Sequence, residues 1–272
     1  MKVAALQMVS AVDRDRNLAT ARELLAQAAQ AGAELAVLPE YFCLIGRRDT
    51  DKLDIREVLG QGPIQSMLSQ AAREERMWIV GGTLPLAIEG RDDRVLNTSL
   101  VFDPNGQLVA RYDKIHLFGF DNGRERYDES RVLQRGQQPV LFELPSRDGH
   151  TWRIGLSVCY DVRFPELYRC YADQGVELML VPSAFTATTG EAHWELLLRA
   201  RAVENLSWVL APAQGGTHEN MRRTWGHSML VNPWGQVVGC HATGPGLVLG
   251  DLDIAVLQQF RTQLPALGHR CL

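Results

Sequence analysis

The stretch that decides the fold is residues 151–167, TWRIGLSVCYDVRFPEL, in which Cys159 marks the change from one element to the next. The residues up to Val158 are apolar and β-prone, which predicts a buried strand. After the cysteine, Pro165 suits the first turn of a helix, and Glu166 favours the positive end of its dipole. A cysteine at such a corner is lifted out of the packing, as the serine is in a nucleophile elbow. The sequence therefore predicts a reactive thiol at the end of a strand.

Strands and helices alternate on both sides of this stretch. In the first half, the pattern predicts a strand at 2–8, a helix at 15–30, a strand at 35–38, a helix at 63–75 and a strand at 78–82. The second half repeats this order with a strand to 158, a helix at 165–174, a strand at 178–181, a helix at 189–204 and a strand at 208–211. A Pro-x-Gly-Gln motif follows each series, at 104–107 and 233–236, and predicts a β-hairpin. We expect one α/β domain, residues 1–272, built from two similar halves.

Composition excludes several classes of function. The chain has 272 residues and a net charge of −4, and its basic residues form no cluster that would suit nucleic acid. No apolar run approaches the length that spans a membrane, and residues 1–8 are typical of a strand rather than a signal peptide. The five cysteines form no C-x-x-C pair, which favours free thiols in the cytoplasm and no zinc site. We expect Cys170 and Cys240 to be small buried apolar residues.

Three reactive side chains follow predicted strands: Glu40, Lys114 and Cys159. Because ligands gather at the carboxyl ends of strands, these three could converge. A thiolate attacks carbonyl carbons, Glu40 could move the protons, and Lys114 with the backbone N–H of Tyr160 could stabilise an oxyanion. Taken singly, each residue has an ordinary structural explanation, and spacing alone does not join them. A Cys–His hydrolase, with His116 or His227 as base, also remains open.

Longer sequence motifs indicate that these residues belong to one site. The stretches 114–118 (KIHLF), 159–167 (CYDVRFPEL), 189–195 (TGEAHWE) and 225–228 (WGHS) resemble the nitrilase superfamily of carbon–nitrogen hydrolases. The similarity covers nearly the whole chain and is to the branch of deaminated glutathione amidases and omega-amidases. It implies a four-layer α-β-β-α sandwich with two pseudo-symmetric halves, and a catalytic triad that matches Glu40, Lys114 and Cys159. It also implies a homodimer or higher homo-oligomer and no metal or organic cofactor.

The resemblance implies further site residues. A second glutamate, matched by Glu129, would orient Lys114, although Glu125 and Asp128 are acidic neighbours. Arg163 could pair with a substrate carboxylate or could hold the corner in a salt bridge. Phe185 could form a wall of the pocket, and Thr189 could hydrogen-bond the substrate. The box formed by Thr188 and Glu191 predicts that Thr188 is the N-cap of the following helix, a structural role.

The expected activity is hydrolysis of the amide bond of a small 2-oxo acid monoamide through a cysteine thioester. The segments 182–185 and 214–218 favour deaminated glutathione as the substrate. The alternatives are an omega-amidase acting on 2-oxoglutaramate or 2-oxosuccinamate, and a catalytically silent scaffold. A full triad argues against the scaffold.

Overall fold

A computed structural model gives the structure of residues 1–271. The helices are α1 Arg14–Gln30, α2 Asp51–Asp54, α3 Pro63–Glu75, α4 Pro165–Asp173, α5 Ala187–Asn205 and α6 Ile254–Gln263, with 3₁₀ turns at Glu129–Arg131, Cys159–Arg163 and Ala266–His269. The strands are β1 Lys2–Gln7, β2 Leu35–Val37, β3 Trp78–Val80, β4 Leu84–Ile88, β5 Arg91–Phe102, β6 Leu108–Asp113, β7 Gly119–Asp121, β8 Arg126–Asp128, β9 Leu133–Gln134, β10 Val140–Pro145, β11 Thr151–Leu156, β12 Leu178–Leu180, β13 Trp208–Ala211, β14 Gly215–Thr217, β15 Arg223–Trp225, β16 Ser228–Val231, β17 Val237–His241 and β18 Gly246–Asp251.

The two large sheets have the same topology. One has the order β18-β1-β2-β3-β5-β4, with β6 and β9 also paired to β5, and the other has the order β10-β11-β12-β13-β16-β17. In the first sheet, β1, β2 and β3 are parallel and are flanked by antiparallel β18 and β5. In the second sheet, β11, β12 and β13 are parallel and are flanked by antiparallel β10 and β16. The two predicted hairpins are β5–β6 and β16–β17, and the two pseudo-symmetric halves are confirmed.

Successive side chains along a strand point to opposite faces of the sheet, and each face packs against a different layer of the fold. In β1, Val3 and Ala5 belong to the core between the sheets, whereas Ala4 and Leu6 pack with the apolar faces of α1 and α3. On the second sheet, a Cβ at Gly155 would meet the ring of Tyr171 from α4, at 3.0 Å. Glycine at this position therefore lets α4 lie close against the outer face of the sheet. The arrangement is the expected α-β-β-α sandwich.

The side chains of α5 and those of two cysteines differ in burial. The apolar face of α5, formed by Trp194, Leu197, Leu198 and Ala202, packs against the core of its own chain, with Leu197 only partly buried. The expectation that Cys170 and Cys240 are buried is wrong, since Cys170 is only partly buried and Cys240 is exposed. Both lie on surface-facing positions of short elements, where the local sequence carries little information on burial. Within residues 1–271, no helix combines the length and apolar character needed to cross a bilayer.

Candidate active site

Cys159 lies at a sharp corner of the chain. It follows β11 and opens the 3₁₀ turn Cys159–Arg163, with its own φ at 51°. This left-handed conformation is uncommon for a residue with a side chain and turns the thiol out of the strand direction. The corner is held by the buried carboxylate of Asp161, which accepts a 2.8 Å hydrogen bond from the N–H of Val158, and by a 2.9 Å bond from the Cys159 N–H to the Pro182 carbonyl.

Glu40 follows β2, and its side chain is 1% exposed. One carboxylate oxygen, Oε1, accepts hydrogen bonds from Lys114 Nζ at 2.8 Å and Asn97 Nδ2 at 3.0 Å. The other oxygen, Oε2, accepts a 3.0 Å bond from the backbone N–H of Ala184. The carboxylate is therefore fixed in orientation by donors from three distant segments of the chain.

Lys114 lies between two carboxylates. Its Nζ donates to Glu40 Oε1 and to Glu129 Oε2, each at 2.8 Å, and its side chain is fully buried. Burial alone would lower the pKa of Lys114, but attraction to Glu129 and Glu40 raises it above its usual value. Lys114 is therefore a fixed positive charge at the base of the site.

Both carboxylate oxygens of Glu129 accept hydrogen bonds within the site. Its Oε2 accepts from Lys114 and, at 2.7 Å, from the N–H of Phe118, while Oε1 accepts a 2.6 Å bond from the Tyr41 hydroxyl. Burial opposes ionisation, but the Lys114 ammonium and these donors keep the pKa of Glu129 below its usual value. Glu129 is therefore ionised beside Lys114.

The thiol of Cys159 is in the opposite electrostatic situation. Burial raises its pKa well above the usual value, and the negative charge of Glu40 raises it further, while Lys114 acts in the other direction. The resting cysteine is therefore a thiol, and it needs a base to become a nucleophile. Glu40 is the carboxylate with the strongest effect on it.

A pocket with about 270 Å³ of empty volume opens above these residues. It is lined by Glu40, Phe118, Glu129, Cys159, Tyr160, Arg163, Ala184, Phe185, Thr186, Thr189 and Arg222. All of the predicted site residues except the buried Lys114 are at its surface. The chain thus brings acid, thiol and pocket-lining residues together from both halves.

Arg163 is placed to meet an anion. Its guanidinium lies over the rings of Tyr160 and Phe185, 5.7 and 5.3 Å from their centroids, and its Nη1 donates to His193 Nδ1 at 3.3 Å. No ion pair involves Arg163 among residues 1–271, so the salt bridge considered from sequence is absent from that part of the chain. Its positive charge is available at the pocket surface.

Thr189 lies in the pocket, next to the N-cap of α5. The sequence-based prediction of that N-cap is wrong. The N-cap of α5 is Thr186, whose hydroxyl accepts from the Thr189 N–H and lies 2.9 Å from the Thr189 hydroxyl. The expected N-cap, Thr188, is instead inside the helix, is exposed, and donates to Glu125 at 2.9 Å. The helix begins two residues before the expected start, because a threonine two residues earlier offers the same capping oxygen.

The two histidines considered as alternative bases are used elsewhere. The Nδ1 of His116 lies 2.7 Å from the Asp161 carboxylate, and its ring stacks on Phe164 at 3.7 Å. His227 stacks on Trp225 at 4.3 Å, and its Nδ1 contacts the Trp225 carbonyl. Neither imidazole lines the pocket that holds Cys159. The geometry therefore does not support the Cys–His hydrolase.

Sequence reasoning missed several residues that hold the site. Tyr41 and Asn97 contact the two glutamates, and Asp161 fixes the corner at Cys159. Tyr41 directly follows Glu40, and Asp161 lies two residues after Cys159, so proximity to predicted site residues was the available signal. Among residues 1–271, no three His, Cys, Asp or Glu residues are grouped so as to hold a metal ion.

Known proteins share this chain's sequence and fold. A family model described as carbon-nitrogen hydrolase matches residues 2–262. The deaminated glutathione amidase of Synechocystis sp. is 39% identical over 269 residues, which cover 98% of this chain and 97% of that protein. The human deaminated glutathione amidase is 41% identical over 274 residues, with 98% of this chain and 81% of that protein covered.

The fold has a solved counterpart at similar coverage. The crystal structure of Saccharomyces cerevisiae Nit3, described as a member of branch 10 of the nitrilase superfamily, superposes with a TM-score of 0.86 at 31% identity. The match covers 97% of this chain and 94% of that one. The chain therefore belongs to the carbon-nitrogen hydrolase family, within the nitrilase superfamily, and is a hydrolase of carbon–nitrogen bonds in amides.

Proposed function

We propose that this protein is an amidase that hydrolyses deaminated glutathione through a thioester on Cys159. The observation that carries the proposal is the buried Lys114 ammonium, held at 2.8 Å by both Glu40 and Glu129 beside the cysteine. The relatives described above support the choice of substrate, since they bear the name deaminated glutathione amidase.

The first half of the reaction forms the thioester. Glu40 takes the proton of the Cys159 thiol as the sulfur attacks the amide carbonyl carbon, and the carbonyl oxygen becomes an oxyanion. The Lys114 ammonium and the backbone N–H of Tyr160 donate hydrogen bonds to that oxyanion. Protonated Glu40 then gives its proton to the nitrogen, the carbon–nitrogen bond breaks, and the amine leaves.

The second half returns the enzyme to its resting state. Glu40 takes a proton from water as the water oxygen attacks the thioester carbon. The carbon–sulfur bond breaks, the sulfur regains a proton, and the carboxylic acid is released. Glu129 holds Lys114 in place through both steps, because its second oxygen bonds Tyr41 and cannot swing away.

The pocket wall selects the acyl group. Arg163 would pair with the carboxylate of the 2-oxo acid end, and the Thr189 hydroxyl would donate a hydrogen bond to the same group. Phe185, which is 5% exposed and packs 4.8 Å from Trp194, forms a rigid apolar side for the methylene groups. A small 2-oxo dicarboxylic monoamide fits this combination of cation, hydroxyl and ring.

Steady-state kinetics on two compounds test the proposal. We expect deaminated glutathione to have a higher kcat/KM than 2-oxoglutaramate. Equal values, or no turnover of deaminated glutathione, would overturn the substrate assignment and favour the omega-amidase alternative. Loss of activity on both compounds would favour a silent scaffold.

We also propose a cytoplasmic homodimer. The five cysteines are free, which suits a reducing compartment. On α5, Leu196 is 68% and Val203 45% exposed, and these apolar side chains could pack against a second copy. Sedimentation equilibrium at micromolar concentration checks the assembly, and a monomer mass would contradict it.

A further inference from the structure

A second cavity lies next to the catalytic pocket and shares Arg222 with it. We call it the antechamber; it has about 590 Å³ of empty volume and is lined by Tyr41, Leu44, Ile45, Gly46, Arg47, Arg48, Asp49, Lys52, Tyr127, Asn220 and Arg222. A smaller pocket shares Phe118, Glu129 and Arg222 with the catalytic pocket, and it shares Tyr41, Asp49, Lys52, Tyr127 and Arg222 with the antechamber. A substrate at Cys159 can therefore extend into the antechamber.

Lys52 has a positive charge without a partner in this space. Its Nζ lies 4.9 Å from the centroid of the Tyr41 ring. The ion pairs and side-chain hydrogen bonds of residues 1–271 include none to its ammonium. Burial lowers the pKa of Lys52, although Glu129 and Asp49 oppose this effect. An ammonium that is partly desolvated and lacks a counterion is a binding site for an anion.

Arg222 adds a second cation on the same wall. Its guanidinium lies 5.1 Å from the centroid of the Tyr127 ring, and its Nη2 donates to the Ala184 carbonyl at 3.1 Å. Its Nε is buried and has no acceptor within residues 1–271. A guanidinium fixed by stacking with a free N–H is preorganised to bind a carboxylate.

The acidic residues near this space do not neutralise it. Glu129 is already bonded to Lys114 and Tyr41, and Asp128 accepts from the backbone and hydroxyl of Ser130. Arg48 is paired with Asp51. The wall of the antechamber contains one carboxylate, that of Asp49, and four cationic side chains, those of Lys52, Arg222 and two further arginines. The space as a whole attracts anions.

We propose that Lys52 and Arg222 form a subsite for a carboxylate on the amine-leaving portion of the substrate. The inference rests on the proposed function, in which the leaving amine is a dipeptide that ends in glycine. That carboxylate lies two residues beyond the scissile nitrogen, a reach of at most about 7 Å when extended. In the proposed function Arg163 pairs with the carboxylate of the 2-oxo acid, so the two acidic ends of the substrate would meet different cationic side chains.

The subsite explains how one pocket distinguishes the two candidate substrates. A primary amide such as 2-oxoglutaramate releases ammonia and has nothing to place in the antechamber. The dipeptide amide gains a charge-assisted contact there, which holds the scissile bond over the thiol. Specificity within this branch then depends on Lys52 and Arg222 as well as on the wall around Arg163.

The test compares deaminated glutathione with its C-terminal carboxamide, which lacks only the terminal charge. In Lys52→Met, we expect the KM for the carboxylate compound to rise about tenfold, as for loss of one charge-assisted contact. In the same variant, the KM for the carboxamide should rise by no more than about twofold. Lys52→Arg should recover most of the difference, and Arg223→Gln, which removes an exposed charge next to Arg222, is the matched control.

The possible outcomes distinguish failure of the subsite from failure of the proposed function. Equal changes in KM for the acid and the carboxamide in Lys52→Met would overturn the subsite, even with normal turnover by the unmodified protein. A selective rise in the KM for the carboxylate compound in Arg223→Gln would overturn the subsite too, because the effect would then come from the net charge of the surface and not from Lys52. Failure of the unmodified protein to hydrolyse deaminated glutathione, with 2-oxoglutaramate still hydrolysed, would instead remove the proposed function.

Discussion

The hydroxyl of Tyr41 donates a 2.6 Å hydrogen bond to Oε1 of Glu129, a residue 88 positions away in the chain. Tyr41 adopts a positive φ of 56°, which turns its side chain across the site from Glu40, its neighbour in sequence. Burial and the charge of Glu129 raise the pKa of Tyr41 well above its usual value, so the hydroxyl remains a donor. Two adjacent residues thus have two roles. Glu40 is the proposed base, and Tyr41 supports Glu129, which in turn holds Lys114.

Removal of this hydroxyl should weaken the positioning of Lys114. In Tyr41→Phe, we expect kcat to fall about tenfold, because a hydrogen bond to a charged group contributes about 1.5–3 kcal/mol. Steady-state kinetics on deaminated glutathione measures this, with a thermal melt as the control for folding. A normal kcat in a folded protein would show that Glu129 does not need this support.

Replacement of the proposed base should greatly reduce turnover. In Glu40→Gln, we expect kcat to fall by about 10²–10⁴, the usual contribution of general acid–base catalysis. The glutamine keeps the size of the side chain and can still accept from Lys114. Steady-state assays at matched protein concentration measure the loss.

The comparison variant for the base is His227→Asn. Asparagine tolerates the left-handed φ of 55° at this position, so the backbone is not strained. We expect its kcat to remain within about twofold of the unmodified protein, since His227 does not line the pocket. Large loss in His227→Asn with activity retained in Glu40→Gln would restore the Cys–His alternative.

Glu129 should make the protein sensitive to acid. Its pKa is lower in the folded than in the unfolded chain, so its stabilising effect is complete above the unfolded value of about 4.3. The effect is lost as the pH falls through the lower folded value. Urea unfolding from about pH 7 to about pH 3 should therefore show a smaller decrease in unfolding free energy for Glu129→Gln than for the unmodified protein. Glu143→Gln, at an exposed position, should retain the full decrease.

The corrected N-cap of α5 can be tested by paired substitutions. Thr186→Ala removes the oxygen that caps the helix, and we expect a loss of about 1 kcal/mol in unfolding free energy. Thr188→Ala removes only an exposed contact with Glu125 and should change stability by less than about 0.5 kcal/mol. Chemical denaturation compares the two. A larger loss in Thr188→Ala would restore the cap that the sequence suggested.

The sequence identified residues whose position follows from local pattern. Glu40, Lys114 and Cys159 each follow a β-prone run, and this position at the ends of strands indicated that the three side chains could converge. The corner at Cys159 was visible because Pro165 marks the helix that follows. Long motifs then joined three segments that spacing alone left separate.

Other features depend on long-range contacts that no local pattern records. Lys52 occupies a four-residue helix, and its lack of a counterion is visible only when the charges around it are placed. The pairs Asn97–Glu40 and Tyr41–Glu129 join segments 57 and 88 residues apart. Thr188 was misassigned because two threonines offer the same capping group, and only the packing of α5 selects between them.

The central claim is that Cys159 carries the acyl group during turnover. Acid quenching of the enzyme with deaminated glutathione, followed by peptide mass mapping, measures where the 2-oxoacyl group is attached. The account predicts an added acyl mass on the peptide that contains Cys159, and no turnover by Cys159→Ala. An acyl group on another residue, or hydrolysis that persists in Cys159→Ala, would contradict it.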